Sequence, residues 1–159
     1  LIPPTSDEFD HTVPLTALLA ESSIRLDARA TDRDDAIRQT GAALVEAGAV
    51  DANYVDAMLA RENTVSTYIG EGVAVPHATL AGKHAVKQDA IVVLRFPDGV
   101  EWNGNHVTVA VGIAAEGNGH IALMSQLATV LLDGDRAHAL RHATTPEEVC
   151  AILTPDART

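Results

Sequence analysis

The chain has 159 residues, a length that suits one domain, and 47% of them are hydrophobic, enough to bury a proper core. Only 3% are aromatic, so that core must be Ala, Val, Leu and Ile, which favours helices packed on a sheet over an aromatic-rich β-sandwich. The formal charge of -11 repels DNA, RNA and anionic lipid, and with no Lys/Arg cluster to offset it nucleic-acid binding is not expected.

Taken in order, residues 1–13 are Pro-, Ser- and acid-containing with little periodicity and read as a mobile tail ahead of a domain over 14–155. The start has no basic n-region and no signal-peptide core, and no apolar run reaches the roughly 20 residues that span a bilayer. A soluble, cytoplasmic chain without membrane insertion is therefore expected. Pro14 to Leu19 reads as a short helix or turn, and Ser23 to Asp27 as a first strand. Thr31 or Asp32 caps a helix carrying Ala36, Ile37, Ala43, Leu44 and Ala47 at helical spacing, and Gly48 ends it. Asp51 caps a second helix, with Tyr54, Val55, Met58 and Leu59 on its apolar face, running to about Glu62. Residues 63–69 form the loop into the stretch Gly70-Glu71-Gly72-Val73-Ala74-Val75-Pro76-His77.

In that stretch the glycines permit backbone angles that other residues resist, Val73 to Val75 reads as a buried strand fragment, and Pro76 keeps Val75 extended. His77 is thus held at the end of a rigid strand, where it can be presented to a partner. Thr79 to Val86 is polar, helical or irregular. Ala90 to Phe96 is a buried strand, Pro97-Asp98-Gly99 a turn, Val100 to Trp102 a short extension, Asn103-Gly104-Asn105 another turn, and Val107 to Ala114 a second buried strand. Glu116 to Gly119 breaks the chain. His120 to about Leu132 is a helix with Ile121, Leu123, Met124, Leu127, Val130 and Leu131 inward, and Asp135 to Arg141 is a short one. Thr145-Pro146-Glu147-Glu148 starts the last helix with a cap and a proline; residues beyond Leu153 read as frayed. There is no internal repeat. The order of elements is that of a single α/β sandwich with a mixed sheet flanked by helices.

One cysteine, Cys150, excludes an internal disulfide and reads as a small core residue on the terminal helix. Of seven histidines, His11 lies in the tail, His84 in a polar stretch and His106 at a strand start. His138 and His142 share a helix face, which suits either solvent or a metal, but no third ligand is suggested. His120, after Gly-Asn-Gly in the first turn of a helix, is either a capping-region residue or part of an anion site made by unpaired N–H groups. Arg61 either caps its own helix or points at a phosphate; Glu71 is either a solvated turn residue or a partner of His77. Walker A, Rossmann, Gly-x-Ser-x-Gly and Cys-x-x-Cys patterns are absent.

Asn53-Tyr54-Val55-Asp56-Ala57-Met58-Leu59-Ala60-Arg61-Glu62, followed by Thr67-Tyr68-Ile69 and the stretch to His77, resembles the enzyme IIA component of the bacterial sugar phosphotransferase system. The likeness is to its mannitol/fructose class, most closely the mannitol type. It continues through Phe96-Pro97-Asp98-Gly99-Val100, Val111-Gly112-Ile113-Ala114-Ala115 and His120-Ile121, and covers roughly Leu15 to Leu153. The resemblance implies a five-stranded mixed sheet flanked by helices. It implies a phosphotransferase in which His77 accepts a phosphoryl group from the histidine phosphocarrier protein and passes it to a cysteine of enzyme IIB, which works with the membrane component IIC in sugar uptake. It makes His120 the second histidine of the site and Arg61 an arginine near the phosphate, with Thr67 and Glu71 inside the motif. No cofactor and no metal are implied. Ala78 departs from the Gly frequent in mannitol-type chains, whereas Thr79 fits them. The alternatives are a fructose-type enzyme IIA and a phosphorylation-dependent regulatory module of the same fold; a metal-dependent hydrolase built on His77, His120 and another histidine is disfavoured, because few carboxylates sit at ligand spacing around them. Gly70 and Gly72 are expected to let a partner's phosphohistidine come close to His77.

Overall fold

The computed structural model describes residues 15–78, 85–115 and 119–153, with the side chains of all but 15, 16, 119 and 120. The expected tail, most of the 79–86 segment with His84, and the expected frayed end lie outside the described residues. A 3-10 turn (Leu15–Leu18) leads into strand β1 (Leu19–Arg25). Helices α1 (Arg33–Glu46) and α2 (Asn53–Thr64) follow, then strands β2 (Tyr68–Gly70), β3 (Val73–Ala74), β4 (Ala90–Trp102) and β5 (Asn105–Ala114). Helices α3 (Gly119–Leu131), α4 (Gly134–Arg141) and α5 (Pro146–Leu153) complete the chain.

The five strands form one mixed sheet in the order β1-β4-β5-β3-β2. β1 with β4 and β3 with β5 are parallel, while β4 with β5 and β2 with β3 are antiparallel. Because side chains alternate across a strand, each face carries its own core. Val92, Leu94, Ala110 and Ala114 pack against α1 and α2 together with Ile37, Leu44 and Met58. Ile91, Val93, Val109, Val111 and Ile113 pack on the other face with Leu123, Leu127, Leu140 and Val149. Two glycines set the first layer tight. A Cβ on Gly41 would lie 2.7 Å from Val55 Cγ2, and one on Gly112 would lie 2.4 Å from Thr40 Cγ2, so α1 sits close to both α2 and the centre of the sheet.

Several expectations meet corrections here. β1 starts four residues earlier than expected, and Tyr68–Gly70 is an edge strand where a loop was expected. Pro97-Asp98-Gly99 does not end the strand. It forms a bulge: between Arg95↔Val109 and Val100↔Val107, five steps on β4 oppose two on β5, and Gly99 takes φ +79° to allow it. The hairpin turns at Asn103-Gly104, where a turn was expected, with both residues at positive φ between the paired Trp102 and Asn105. A second irregularity sits on β5, where the N–H groups of Thr108 and Val109 both donate to the Gly72 carbonyl. Val107 and Val109 consequently face opposite cores. Ile121 was placed on the inner face of its helix but is 58% exposed. Among the described residues no helix is long and apolar enough to cross a membrane.

Candidate active site

His77 follows β3 and is fastened from several sides. On one side Ile113 N donates to the Pro76 carbonyl at 3.1 Å; on the other, Val75 N donates to the Thr67 carbonyl at 3.0 Å. The segment from Val75 to His77 therefore runs extended between β5 and Thr67, as a proline with its fixed φ requires. The Tyr54 hydroxyl donates to the Ile113 carbonyl at 2.9 Å and accepts from Ala78 N at 3.2 Å, so one buried group from α2 pins the residue after His77 to β5. Burial pushes the Tyr54 hydroxyl up from its ordinary pKa, partly countered by the Ala78 N–H, and so keeps it in the neutral form that can both donate and accept.

His77 is 4% exposed, so packing fixes its ring and only a small part of the residue faces solvent. Its Nδ1 lies 2.8 Å from the Val75 carbonyl. A carbonyl only accepts, so Nδ1 carries the proton, and in the neutral ring the lone pair is left on Nε2. The arrangement can therefore supply a nitrogen nucleophile of fixed orientation.

Thr67 is one link further back. Glu62, 2% exposed, accepts from Thr67 N at 2.8 Å, from Thr67 Oγ1 at 2.5 Å and from Trp102 Nε1 at 2.8 Å. Three donors satisfy the buried carboxylate. Thr67 thus bears on His77 through backbone, by holding Val75. Arg61, in the last turn of α2, donates through Nη1 to the Val65 carbonyl, which closes its own helix. His120 lies in the first turn of α3. It is five positions on from Ala115, which follows β5 beside the Pro76–Ile113 bond, so its backbone is within about 18 Å of Ala115.

Glu71 goes elsewhere. Its carboxylate lies 3.4 Å from Arg141 Nη1, and the same nitrogen donates to the Glu71 carbonyl at 2.9 Å. Gly72 faces the same way: a Cβ there would meet Arg141 Cδ at 3.1 Å and Thr108 Oγ1 at 3.4 Å. Thr108 and Ile113 are five residues apart on β5, about 16 Å, so Glu71 and Gly72 stand at the opposite end of the sheet from His77. The room beside Gly72 belongs to a different cavity, and not to the approach to His77.

Tyr54, Glu62 and Trp102 carry this framework, yet sequence reasoning took them as a helix face, a helix end and a strand extension. The available signal was that a buried Tyr or Trp in an aliphatic core needs a partner for its O–H or N–H. The His138 and His142 rings lie 4.3 Å apart and tilted at 40° on the exposed side of α4. Among the described residues no group of three His, Cys, Asp or Glu could hold a metal.

The family model described as phosphoenolpyruvate-dependent sugar phosphotransferase system, EIIA 2, matches residues 17–155. The chain belongs to the EIIA type-2 family. This EIIA type-2 chain is 46% identical to a multiphosphoryl transfer protein of Haemophilus influenzae, over 85% of the chain but only 27% of that protein's length. It is 37% identical to the mannitol-specific phosphotransferase enzyme IIA component of Halalkalibacterium halodurans, over 86% of the chain and 94% of that protein. Among solved structures, the complex of enzyme IIAMTL and phosphorylated enzyme IIBMTL from Escherichia coli matches with a TM-score of 0.80 and 35% identity, covering 86% of this chain and 98% of that one. The mixed five-stranded sheet with five helices is thus that of the mannitol-type EIIA structures.

Proposed function

We propose that this EIIA type-2 chain is a phosphocarrier in which His77 is the phosphorylated residue. The observation that carries the reading is the Nδ1 hydrogen bond to the Val75 carbonyl, which leaves Nε2 as the nucleophile. The Nε2 lone pair attacks the phosphorus of a phosphohistidine on the histidine phosphocarrier protein. The new N–P bond forms as the old one breaks, and the electron pair returns to the donor imidazole. In the second step a cysteine thiolate of enzyme IIB attacks the same phosphorus, and the pair returns to Nε2. Phosphoryl transfer of this kind needs positioning and charge stabilisation more than covalent machinery. The phosphoryl group brings about two negative charges. Arg61, with N–H groups beyond the one on Val65, and His120 at a helix N-terminus are the proposed donors to it. Thr67 acts as a positioning residue through Val75, while Glu71 holds Arg141 and stands apart from the phosphate.

The enzyme IIB partner is supported by the matching complex of enzyme IIAMTL with phosphorylated enzyme IIBMTL, and mannitol-type uptake by the mannitol-specific relative. A second reading, a carrier domain of a multiphosphoryl transfer protein, is favoured by the 46% identity to the Haemophilus influenzae protein, against 37% to the Halalkalibacterium halodurans mannitol-specific component. The test is incubation with phosphoenolpyruvate, enzyme I and the histidine phosphocarrier protein. An acid-labile phosphate should appear on the chain and be absent from His77→Ala, and His120→Ala should still be labelled but transfer more slowly to enzyme IIB. Labelling that persists in His77→Ala overturns the assignment. Transfer to a mannitol enzyme IIB, against retention within a longer multidomain chain, separates the two readings.

A further inference from the structure

At the end of the sheet away from His77, a cavity of about 360 Å³ opens between the β4 bulge, the β5 bulge and α4. Arg95, Arg141, His106, His142, Thr108 and Glu71 line it. Two guanidiniums and two imidazoles thus face one carboxylate, in a chain whose net charge is -11. Glu71 is engaged by Arg141. Arg95 has no carboxylate partner among the described residues, and its Nη1 reaches only the Arg141 carbonyl, at 3.5 Å. Arg95 Nε and Thr108 Oγ1 are buried, and neither has a hydrogen-bond partner among the described residues. Buried polar atoms of this kind are costly to leave unmatched, and a native fold that keeps two of them on one cavity has a reason to do so.

The backbone is shaped to open this space. The doubled bond to the Gly72 carbonyl turns Thr108 out of the strand's alternation. Thr108 Oγ1 and Arg141 Cδ both lie within 3.4 Å of the point that a Cβ on Gly72 would occupy, so a side chain there would fill the floor. The His106 ring lies against Gly99, where a Cβ would come 1.9 Å from Cε1. Both glycines have positive φ, and each lies at one of the two bulges.

We propose that this cavity binds a small phosphate monoester. Guanidinium N–H groups and a hydroxyl match a tetrahedral dianion. The volume exceeds what a bare phosphate needs and falls in the range of small-molecule pockets, so an ester with a small polar body fits better than inorganic phosphate. The site is independent of the role of His77.

The test uses the full chain with His77→Ala, which removes the competing phosphate chemistry, followed by amide NMR during titration with glycerol 2-phosphate, inorganic phosphate and glycerol. Saturable shifts are expected at Gly72, Arg95, Thr108 and Arg141 with glycerol 2-phosphate, weaker ones with inorganic phosphate and none with glycerol. Arg95→Gln and Arg141→Gln should each weaken binding roughly 10-fold, and Thr108→Val should weaken it less. If Arg95→Gln fails to fold, Arg141→Gln, on a half-buried helix end, still decides. The proposal is overturned by no saturable shift at these amides up to about 20 mM ligand, by unchanged affinity in the arginine variants, by equal affinity for inorganic phosphate, or by binding of an acidic phosphopeptide without binding of glycerol 2-phosphate.

Discussion

Val75 grips the Nδ1 edge of His77 through its carbonyl, while its own N–H is tied to Thr67, which Glu62 clamps in turn. The His77 ring is therefore oriented by a chain of buried hydrogen bonds that begins on α2 and at Trp102. Tyr54 closes the other side. Removing its hydroxyl leaves the Ile113 carbonyl and the Ala78 N–H buried and unmatched, which costs about 1–3 kcal/mol. Tyr54→Phe should lower the denaturant midpoint accordingly and slow phosphoryl acceptance by His77, because Ala78 is no longer pinned. Denaturant unfolding and single-turnover labelling measure the two effects. An unchanged midpoint together with an unchanged rate would remove Tyr54 from the framework. That His77 is presented by a rigid strand end was legible from Val75-Pro76-His77, because proline geometry is local. The tautomer was not, because it depends on where a carbonyl lies in the folded backbone.

Among the elements, α5 shows how much of the fold is written locally. Glu148 N donates to Thr145 Oγ1 at 3.2 Å, and Glu148 Oε1 accepts from Thr144 N at 2.7 Å and Thr144 Oγ1 at 3.2 Å. This is a reciprocal cap. The Thr144 N–H is the main cause holding the Glu148 carboxyl below its ordinary pKa, the Thr144 hydroxyl adding to it. A depressed carboxyl stabilises the fold above its unfolded pKa, and that contribution is lost as pH falls through the lower folded value. Glu148→Gln should therefore be less stable than the parent at neutral pH, and the gap should close in acid. Thermal unfolding across pH 2 to about 7 tests this; a gap that widens in acid would contradict it. The cap was legible in Thr145-Pro146-Glu147-Glu148. The strand Tyr68–Gly70 and the bulge at Pro97-Asp98-Gly99 were not, because both exist through pairing with distant strands. Helical spacing gave the face on which Ile121 lies but not which turns of α3 are covered.

On the scale of the whole molecule, β4 and β5 supply residues to the cores on both faces of the sheet. Neither layer of helices can leave without exposing the strands that the other needs, so unfolding should be a single cooperative event. Trp102, the one tryptophan, is fully buried on the α1 and α2 side and reports that layer alone. Its fluorescence and the far-UV circular dichroism of all the helices should give superimposable denaturation curves; two separated midpoints would show that the layers unfold independently. The two ends of the sheet differ in the same global way. One end carries His77, and the other carries the basic cavity, about 16 Å along β5. The sequence brought Glu71 and His77 together because they are six residues apart, but β3 runs between them and sends them to opposite ends.

The central claim is that Nε2 of His77 carries the phosphoryl group. Long-range proton–nitrogen NMR of the imidazoles, recorded on the chain phosphorylated through the histidine phosphocarrier protein, tests it most directly. The account predicts a phosphorus-coupled Nε2 on His77, with Nδ1 still protonated against Val75. Phosphorus coupling at Nδ1 of His77, or at any other histidine, would contradict it.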